Sequence, residues 1–159
     1  MREITSKMTD INSNSLSSRR QFPDIYMRFA CDLAKRSTCK RLQVGCVVVA
    51  NDFSQVFGIG YNGNAKGFVN TCDSDEPGNC GCLHAEDNAL LKTNVGPETA
   101  KIVFVSHQPC LYCAKRIINK GGVKRVYFQQ VYRSVEGVNA LRSSGIEVIN
   151  ISENSLQTS

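Results

Sequence analysis

Two short stretches decide both the fold and the chemistry: residues 82–86 read Cys-Leu-His-Ala-Glu, and residues 109–113 read Pro-Cys-Leu-Tyr-Cys. The imidazole of His84 and the thiols of Cys110 and Cys113 offer three metal ligands. A zinc ion with three protein ligands keeps its fourth position open for water and is typical of catalysis, whereas four protein ligands close a structural site. The pattern therefore predicts a catalytic zinc site.

The carboxylate two residues after the histidine suggests what such a site does. Zinc lowers the pKa of a bound water, so that hydroxide is available at neutral pH. Glu86 can reach that water without binding the metal, and we predict that it is the general acid and base. A non-enzymatic zinc module is the alternative from a different class of protein. The carboxylate argues against it, because a structural zinc needs no acid beside it.

Length and composition narrow the class of protein. A chain of 159 residues suits one compact domain. Hydrophobic residues make up 42% and charged residues 21%, which is typical of a globular, soluble chain. The formal net charge of +5 suits an anionic ligand without demanding nucleic acid. No segment has the apolar length of a transmembrane helix, so no membrane partner is expected.

The eight cysteines bear on the cellular compartment. The N-terminus lacks the apolar core of a signal peptide, so disulfides are not the expected use of these residues. Metal binding and reduced thiols fit better. We therefore expect a cytoplasmic protein.

The chain divides into a polar start, one domain and a polar end. Residues 1–21 are rich in Ser and Asn and are predicted to be a flexible tail, residues 22–152 form the domain, and residues 153–159 are predicted to fray. Hydrophobic periodicity predicts an α-β-β-α-β-α-β-α-β order. The helices are expected at about residues 23–36, 84–93, 109–120 and 133–142, and the strands at about 44–49, 55–61, 102–106, 123–128 and 146–149.

Helical connections between the last three strands decide the type of sheet. Such crossovers join parallel neighbours and are right-handed. The expected fold is a three-layer α/β/α sandwich around a five-stranded mixed sheet, with the last strand parallel. The first helix begins at Pro23, and helical spacing predicts that one of its faces packs inward. The residues expected on that face are Ile25, Phe29 and Leu33, with the nearby Ala30 and Ala34.

A second group of cysteines lies in the long connection at residues 66–83, and it consists of Cys72, Cys80 and Cys82. With a fourth ligand from outside the loop, these thiols could close around a structural zinc, and Cys46 on the first predicted strand is one candidate. A metal clip would offset the entropy of a long loop that leads into the catalytic histidine. The alternative is three reduced cysteines without a metal, and the sequence leaves both interpretations open.

These motifs together resemble those of one enzyme family. His-x-Glu followed by Pro-Cys-x-x-Cys is the signature of zinc nucleobase deaminases. Over about residues 22–151, the chain is similar to deoxycytidylate deaminases, within the cytidine/deoxycytidylate deaminase superfamily. The matching stretches are Ser-Thr-Cys-Lys-Arg at 37–41, Gly-Ile-Gly-Tyr-Asn-Gly at 58–63, His-Ala-Glu-Asp-Asn-Ala at 84–89, Pro-Cys-Leu-Tyr-Cys-Ala-Lys at 109–115, Tyr-Arg at 132–133 and Gly-Ile-Glu-Val at 145–148.

The resemblance implies an activity and a set of binding residues. The activity is the zinc-dependent hydrolysis of dCMP to dUMP and ammonia, which feeds thymidylate synthesis. Asn62 would bind the deoxyribose hydroxyl. Apart from the resemblance, the position of Cys110 and Ala85 in the two motifs suggests that their backbone groups contact the zinc hydroxide and the cytosine amino group. Guanidinium groups suit a phosphate, because they donate two parallel charged hydrogen bonds. The residues implied for the 5′-phosphate are Arg41, Tyr132 and Arg133.

The resemblance also implies partners beyond the substrate. Members of the family are often hexamers, and some hold a second, structural zinc with varying ligands. Some are regulated by dCTP and dTTP. The family usually has Pro two residues after the Gly of the Asn-Gly turn, whereas Ala65 stands there in this chain. This loop therefore departs from the pattern that is linked to regulation.

Related deaminases provide the alternatives. Another cytosine nucleotide or nucleoside, such as dCTP, a 5-substituted dCMP or cytidine, is the nearest of them. As a family, deaminases of free cytidine have an antiparallel last strand, whereas the last strand predicted for this chain is parallel. The tRNA adenosine deaminases run quickly from their substrate-binding Asn to the zinc ligand, whereas more than twenty residues separate Asn62 from His84. Riboflavin-pathway deaminases space their two cysteines more widely.

Overall fold

The computed structural model describes residues 19–152. The predicted tail, apart from its last three residues, and the predicted frayed end at 153–159 lie outside the described residues. Within residues 19–152 every helix is too short or too polar to cross a membrane. The elements follow the predicted order: α1 (Phe22–Ala34), β1 (Gly45–Ala50), β2 (Val56–Tyr61), α2 (Ala85–Lys92), β3 (Lys101–His107), α3 (Leu111–Lys120), β4 (Val123–Gln130), α4 (Glu136–Ser143) and β5 (Glu147–Asn150).

The five strands form one mixed sheet in the order β2-β1-β3-β4-β5. β1 is antiparallel to both of its neighbours, and Val47 pairs with Ile59 of β2 and with Phe104 of β3. β3, β4 and β5 run parallel to one another, with Tyr127 of β4 opposite Ile149 of β5. The predicted mixed sheet with a parallel last strand is therefore confirmed.

Helices cover both faces of this sheet. Successive residues of a strand point to opposite faces, so the sheet builds two cores. On one face α1 packs over a core that includes Met27, Val49 and Phe104. On the other face α2, α3 and α4 pack over a core that includes Val48 and Val105. The fold is the predicted three-layer α/β/α sandwich.

α1 packs on the sheet through Met27, Ala30 and Ala34. Ile25 and Phe29 were predicted to face the core but are 41% and 36% exposed, while Leu33 is partly buried against the core. Ala30 is fully buried, and a Cβ built on Gly45 would lie 2.0 Å from its carbonyl oxygen. The prediction for Ile25 and Phe29 is wrong because the face of α1 that meets the sheet carries Met27, Ala30 and Ala34, and Ile25 and Phe29 lie on other sides of the helix.

α2 lies on β2 in direct backbone contact. A Cβ on Gly60 would lie 2.3 Å from the carbonyl oxygen of Ala85, and one on Gly58 would lie 2.5 Å from that of Ala89. Glycine at both positions lets the helix and the strand touch without an intervening side chain. The backbone of β2 therefore sets the height of α2 above the sheet, and with it the position of the residues where α2 begins.

Candidate metal centre and active site

The three predicted zinc ligands converge from the beginnings of two helices. His84 is the N-cap of α2, Cys110 is the N-cap of α3, and Cys113 lies in the first turn of α3. The Nδ1 atom of His84 lies 3.1 Å from Cys113 Sγ and 3.7 Å from Cys110 Sγ. The three ligand atoms all lie within 4.8 Å of one another. Ligands of a tetrahedral zinc lie about 3.6–3.8 Å apart, so this group fits the ion.

The two thiols of this group differ in how readily they ionise. A hydrogen bond with the Cys113 thiol, helped by His84 and opposed by burial, lowers the pKa of Cys110 to about 4. The same hydrogen bond and burial raise the pKa of Cys113. Zinc binds thiolates and displaces their protons. The donor set is therefore one imidazole, one thiolate and one thiol that the ion would deprotonate, which suits zinc.

Glu86 lies in the first turn of α2 and is 5% exposed. Burial raises the pKa of its carboxyl group to about 7. A carboxyl group that titrates near neutrality can both accept and donate a proton. The position and the environment of Glu86 therefore suit the general acid and base that the sequence predicts.

One cavity of about 590 Å³ joins the metal ligands to the predicted substrate-binding residues. Its volume lies within the range of about 300–1,000 Å³ that is typical of small-molecule sites. The predicted residues in its wall are Arg41, Asn62, Ala85, Tyr132 and Arg133, together with His84, Glu86 and Cys110. The structure thus brings the predicted metal, catalytic and substrate-binding residues to one place, with Cys113 fully buried beside His84.

Asn62 is buried, and its amide already holds the backbone of the loop before β1. Its Oδ1 accepts a hydrogen bond from the Val44 N–H at 2.8 Å, and its Nδ2 donates to the Leu42 carbonyl at 2.6 Å. A side-chain amide has two donor hydrogens and two acceptor lone pairs. One of each therefore remains for a ligand hydroxyl, and the two backbone contacts fix the orientation in which they are offered.

Tyr132 and Arg133 lie on a loop, not on the helix that was predicted to begin at residue 133. α4 begins at Glu136, whose N–H donates to the Ser134 hydroxyl just before the helix. That predicted helix start is wrong because a serine that satisfies a free N–H delays it. Gln108 donates to the Ser134 carbonyl and ties the loop to the approach to α3. The guanidinium of Arg133 lies 5.8 Å from the centre of the Tyr132 ring.

Further residues line the cavity that the sequence pattern did not single out, among them Cys39, Lys40, His107 and Gln108. His107 Nδ1 lies 3.0 Å from Ser106 Oγ, and burial lowers the pKa of the imidazole. This ring is therefore neutral at pH 7. The position of His107 in the sequence could have indicated that it lines the site, because β3 ends at His107 and leads directly into the Pro-Cys-x-x-Cys motif.

An ion pair between a buried carboxylate and a partly exposed guanidinium joins the two helices that carry the metal ligands. The side chain of Asp87 in α2 is 7% exposed and pairs with Nε of Arg116 in α3. Arg116 also donates to the Tyr112 hydroxyl at 3.2 Å, and the Tyr112 ring packs edge-on against the imidazole of His84. The pair holds α2 against α3 next to the metal ligands. Two charged residues on separate helices give no local signal in a sequence, so it was missed.

Four cysteines, Cys39, Cys72, Cys80 and Cys82, form a second group, which we name the four-cysteine cluster. The Sγ–Sγ distances are 3.8 Å for Cys39–Cys80, 3.7 Å for Cys39–Cys72 and 3.7 Å for Cys72–Cys82. Four thiolates that bind zinc at about 2.3 Å lie about 3.8 Å apart, so the cluster has the size of a closed zinc site. The suggestion of Cys46 as fourth member is wrong, because it is fully buried in the core under β1.

The charge balance of the four-cysteine cluster also fits a cation. Burial opposes ionisation of Cys39, but hydrogen bonds from the backbone of Leu42 and Arg41 outweigh it and lower the pKa to about 7. Burial and the neighbouring thiols raise the pKa of Cys82, and burial raises that of Cys80. Thiols packed this closely do not all ionise without a compensating charge. A divalent cation supplies that charge.

Known proteins are similar to this chain in sequence. The family model of the cytidine and deoxycytidylate deaminase zinc-binding region matches residues 21–130. The deoxycytidylate deaminase of Saccharomyces cerevisiae is 32% identical over 143 aligned residues, covering 82% of this chain and 45% of that protein. The deoxycytidylate deaminase of Mycobacterium phage D29 is 32% identical over 126 aligned residues, covering 70% of this chain and 96% of the phage protein.

A solved structure shares the architecture. The crystal structure of the dCMP deaminase from the cyanophage S-TIM5, in complex with dCMP and dUMP, matches with a TM-score of 0.73 at 33% sequence identity. The match covers 84% of this chain and 98% of the cyanophage chain. The chain thus spans less than half the length of the yeast relative and nearly the whole of both phage proteins. Sequence motifs, fold and ligand geometry agree, and the chain belongs to the zinc-binding cytidine and deoxycytidylate deaminase family.

Proposed function

We propose that this protein hydrolyses dCMP to dUMP and ammonia with a zinc ion. The observation that carries the proposal is the cavity in which the metal ligands and the buried Glu86 meet two arginines, Arg41 and Arg133. A metal and a buried carboxyl group suit the cytosine ring, and two guanidinium groups suit a phosphate. The similar proteins of yeast and both phages are deoxycytidylate deaminases, and the cyanophage protein binds dCMP and dUMP in its crystal structure.

The residues near the metal divide the work of the reaction. His84, Cys110 and Cys113 would hold the zinc, which acts as a Lewis acid and makes water a nucleophile at neutral pH. Glu86 takes one proton from the attacking water and passes it to ring nitrogen N3. It then takes the second proton from the oxygen bound to C4 and delivers it to the exocyclic amine. The water oxygen bonds to C4, the C4–N4 bond breaks, and the amine leaves as ammonia. A pKa of about 7 lets the same carboxyl group of Glu86 play both parts.

The other residues in the wall would hold the sugar and the phosphate. We assign the deoxyribose hydroxyl to the amide of Asn62, and the cytosine amino group to the backbone of Ala85. Arg41, Tyr132 and Arg133 would bind the 5′-phosphate through charge-assisted hydrogen bonds. The net charge of +5 favours the approach of such an anion.

Ammonia release, measured in parallel on dCMP, deoxycytidine, cytidine, CMP and dCTP, tests the proposal. We expect the highest kcat/KM for dCMP. A higher value for dCTP or cytidine, or for a 5-substituted dCMP added to the panel, would replace dCMP by another cytosine substrate. No turnover of any of them by zinc-loaded protein would favour a tRNA adenosine deaminase or a non-enzymatic zinc module.

Replacing Arg133 with Ala should impair the turnover of the nucleotide selectively. A hydrogen bond to a charged group contributes about 1.5–3 kcal/mol, so kcat/KM for dCMP should fall about 10- to 100-fold. Deoxycytidine has no phosphate, and its kcat/KM should change by less than about twofold. Arg142→Ala removes another exposed arginine, in the last turn of α4, and should leave both values near wild type. Equal losses on both substrates would mean that Arg133 is structural and that the phosphate binds elsewhere.

We also propose that the four-cysteine cluster holds a structural zinc. Elemental analysis of the purified protein should then find about two zinc ions per chain. The Cys80→Ser variant should keep about one zinc and part of its activity, because the remaining ion is the catalytic one. Cys31→Ser, which changes a half-buried thiol outside both metal groups, should keep both ions. If wild type and Cys80→Ser each hold one zinc per chain, the catalytic ion is bound and the four-cysteine cluster holds none.

Assembly, regulation and location are proposed from the family resemblance. We propose a homo-oligomer, a hexamer by that resemblance, in the cytoplasm, where the eight free thiols would stay reduced. Phe22, Ile25 and Phe29 are exposed along α1 and provide an apolar surface that such an assembly could cover. dCTP and dTTP are the proposed effectors. Light scattering checks the oligomeric state. Turnover of dCMP, measured with and without dCTP and dTTP, checks the regulation.

A further inference from the structure

Four consecutive residues after α1 each contact the long loop that precedes α2. Three of them do so through hydrogen bonds, in the pairs Thr38–Asn70 at 2.9 Å, Lys40–Cys72 at 3.4 Å and Arg41–Asp75 at 2.8 Å. The fourth is Cys39, which belongs to the four-cysteine cluster. The cluster therefore lies at the centre of a continuous contact between residues 38–41 and residues 70–80.

The loop depends on this contact for its shape. Residues 73–79 are all exposed. Phe68 and Val69, the large apolar residues in this part of the loop, are 67% and 76% exposed. Asn64, which precedes the loop, donates from Nδ2 to the Thr71 carbonyl at 3.2 Å and to the Asp73 carboxylate at 2.7 Å. Within the loop, the Ser74 hydroxyl donates to the Asn79 carbonyl. A segment with so little burial opens easily unless it is anchored, and the four-cysteine cluster is the anchor that ties it to residues 38–41.

The beginning of α2 is held by other means. Leu83 exchanges two backbone hydrogen bonds with Gly63, at 2.8 and 3.1 Å. α2 then rests on the backbone of β2 at Gly58 and Gly60. The metal ligands and Glu86 therefore have supports at Gly63 and on β2 besides their link to the cluster through Cys82. Arg41, in contrast, lies on the segment that the cluster joins to the loop.

We propose that the four-cysteine cluster positions Arg41 for the phosphate of the substrate, and so gives the enzyme its preference for nucleotides over nucleosides. The inference rests on the proposed function. Arg41 is exposed, lies two residues from Cys39 and donates to the Asp75 carbonyl. An arginine that is ordered before the ligand arrives loses less side-chain entropy on binding. Loss of the cluster therefore weakens binding of the substrate's phosphate and leaves proton transfer by Glu86 unchanged.

Binding and turnover by a Cys72→Ser variant test the inference. Cys72 is preferred to Cys82, which lies two residues from the metal ligand His84. The KM and the calorimetric Kd for dCMP should each rise about tenfold, as expected for one weakened charge-assisted hydrogen bond. The kcat/KM for deoxycytidine should stay within about twofold, and the zinc content should fall by about one ion per chain. Cys31→Ser is the matched control and should change none of these values.

A double variant separates positioning of Arg41 from a general loosening of the site. In Cys72→Ser/Arg41→Ala, dCMP should bind as in Arg41→Ala alone, within about twofold. The inference is overturned if the losses of dCMP affinity are additive in the double variant. It is also overturned if Cys72→Ser loses activity equally on dCMP and deoxycytidine, or if its Kd for dCMP or its zinc content is unchanged. If wild type prefers dCMP to deoxycytidine, any of these outcomes contradicts the positioning of Arg41 and leaves the proposed function standing. A wild type that binds dCMP no better than deoxycytidine would contradict the proposed function too.

Discussion

The Glu86→Gln variant should keep its fold and its zinc and lose almost all of its turnover. Gln has the shape of Glu but cannot carry a proton, and a positioned proton carrier contributes about 10²–10⁴-fold to the rate. Because Glu86 acts on both ring nitrogen and leaving amine, we expect a loss of about 10⁴-fold or more in kcat. Ammonia release gives kcat, and elemental analysis gives the zinc content of the same sample.

The matched control for this variant is Glu147→Gln, which removes an exposed carboxylate from β5. It should keep both turnover and zinc. The Glu86→Gln protein should be at least as stable as wild type, because burial already disfavours the charge of Glu86. Turnover near the wild-type rate in zinc-loaded Glu86→Gln would exclude Glu86 as the proton carrier.

The Gly60→Ala variant should lose stability and catalytic zinc together. The added Cβ would lie 2.3 Å from the carbonyl oxygen of Ala85, and backbone atoms cannot move aside as a flexible side chain can. Overpacking costs about 1–3 kcal/mol and sometimes more, and contact with backbone places this change at about 3 kcal/mol. Moving α2 also displaces His84 from Cys110 and Cys113. Denaturant unfolding measures the stability, and elemental analysis measures the zinc.

Gly63→Ala provides the comparison for Gly60→Ala. Its added Cβ would lie 3.5 Å from the Thr38 hydroxyl oxygen, which is an ordinary contact. The free energy of unfolding should change by less than about 0.5 kcal/mol, as at positions without a packing conflict. If Gly60→Ala changed the free energy of unfolding as little as Gly63→Ala, α2 could move away from β2 at a lower cost than the backbone contact implies.

The parts of the site that the sequence predicts are those encoded by short spacings. His84 and Glu86 lie two residues apart at the start of α2, and Cys110 and Cys113 lie three apart at the start of α3, so the local helix geometry places each pair. The sheet is predictable for a related reason. A helix between consecutive strands permits parallel neighbours and little else, whatever the side chains.

The parts that the sequence does not predict depend on contacts between distant segments. Cys39 reaches the loop cysteines because it lies in the irregular segment between α1 and β1. Cys46 does not reach them because its side chain points from β1 into the core. Phe29 lies outward because the face of α1 that meets the sheet carries Met27 and Ala30, and Ala30 lies close to Gly45 of β1. Apolar spacing identifies a helix but not how near its backbone comes to the sheet.

The strand order also determines how copies of the chain can meet. Within residues 19–152, β2 and β5 are the outer strands of the sheet, and outer strands are templates for pairing with another chain. β5 is four residues long and exposes Glu147, which shortens and charges that edge. At the other edge a register shift between Val48 and Val49 interrupts the pairing with β2, and such bulges increase the local twist. Both edges therefore resist extension of the sheet by a second copy of the chain.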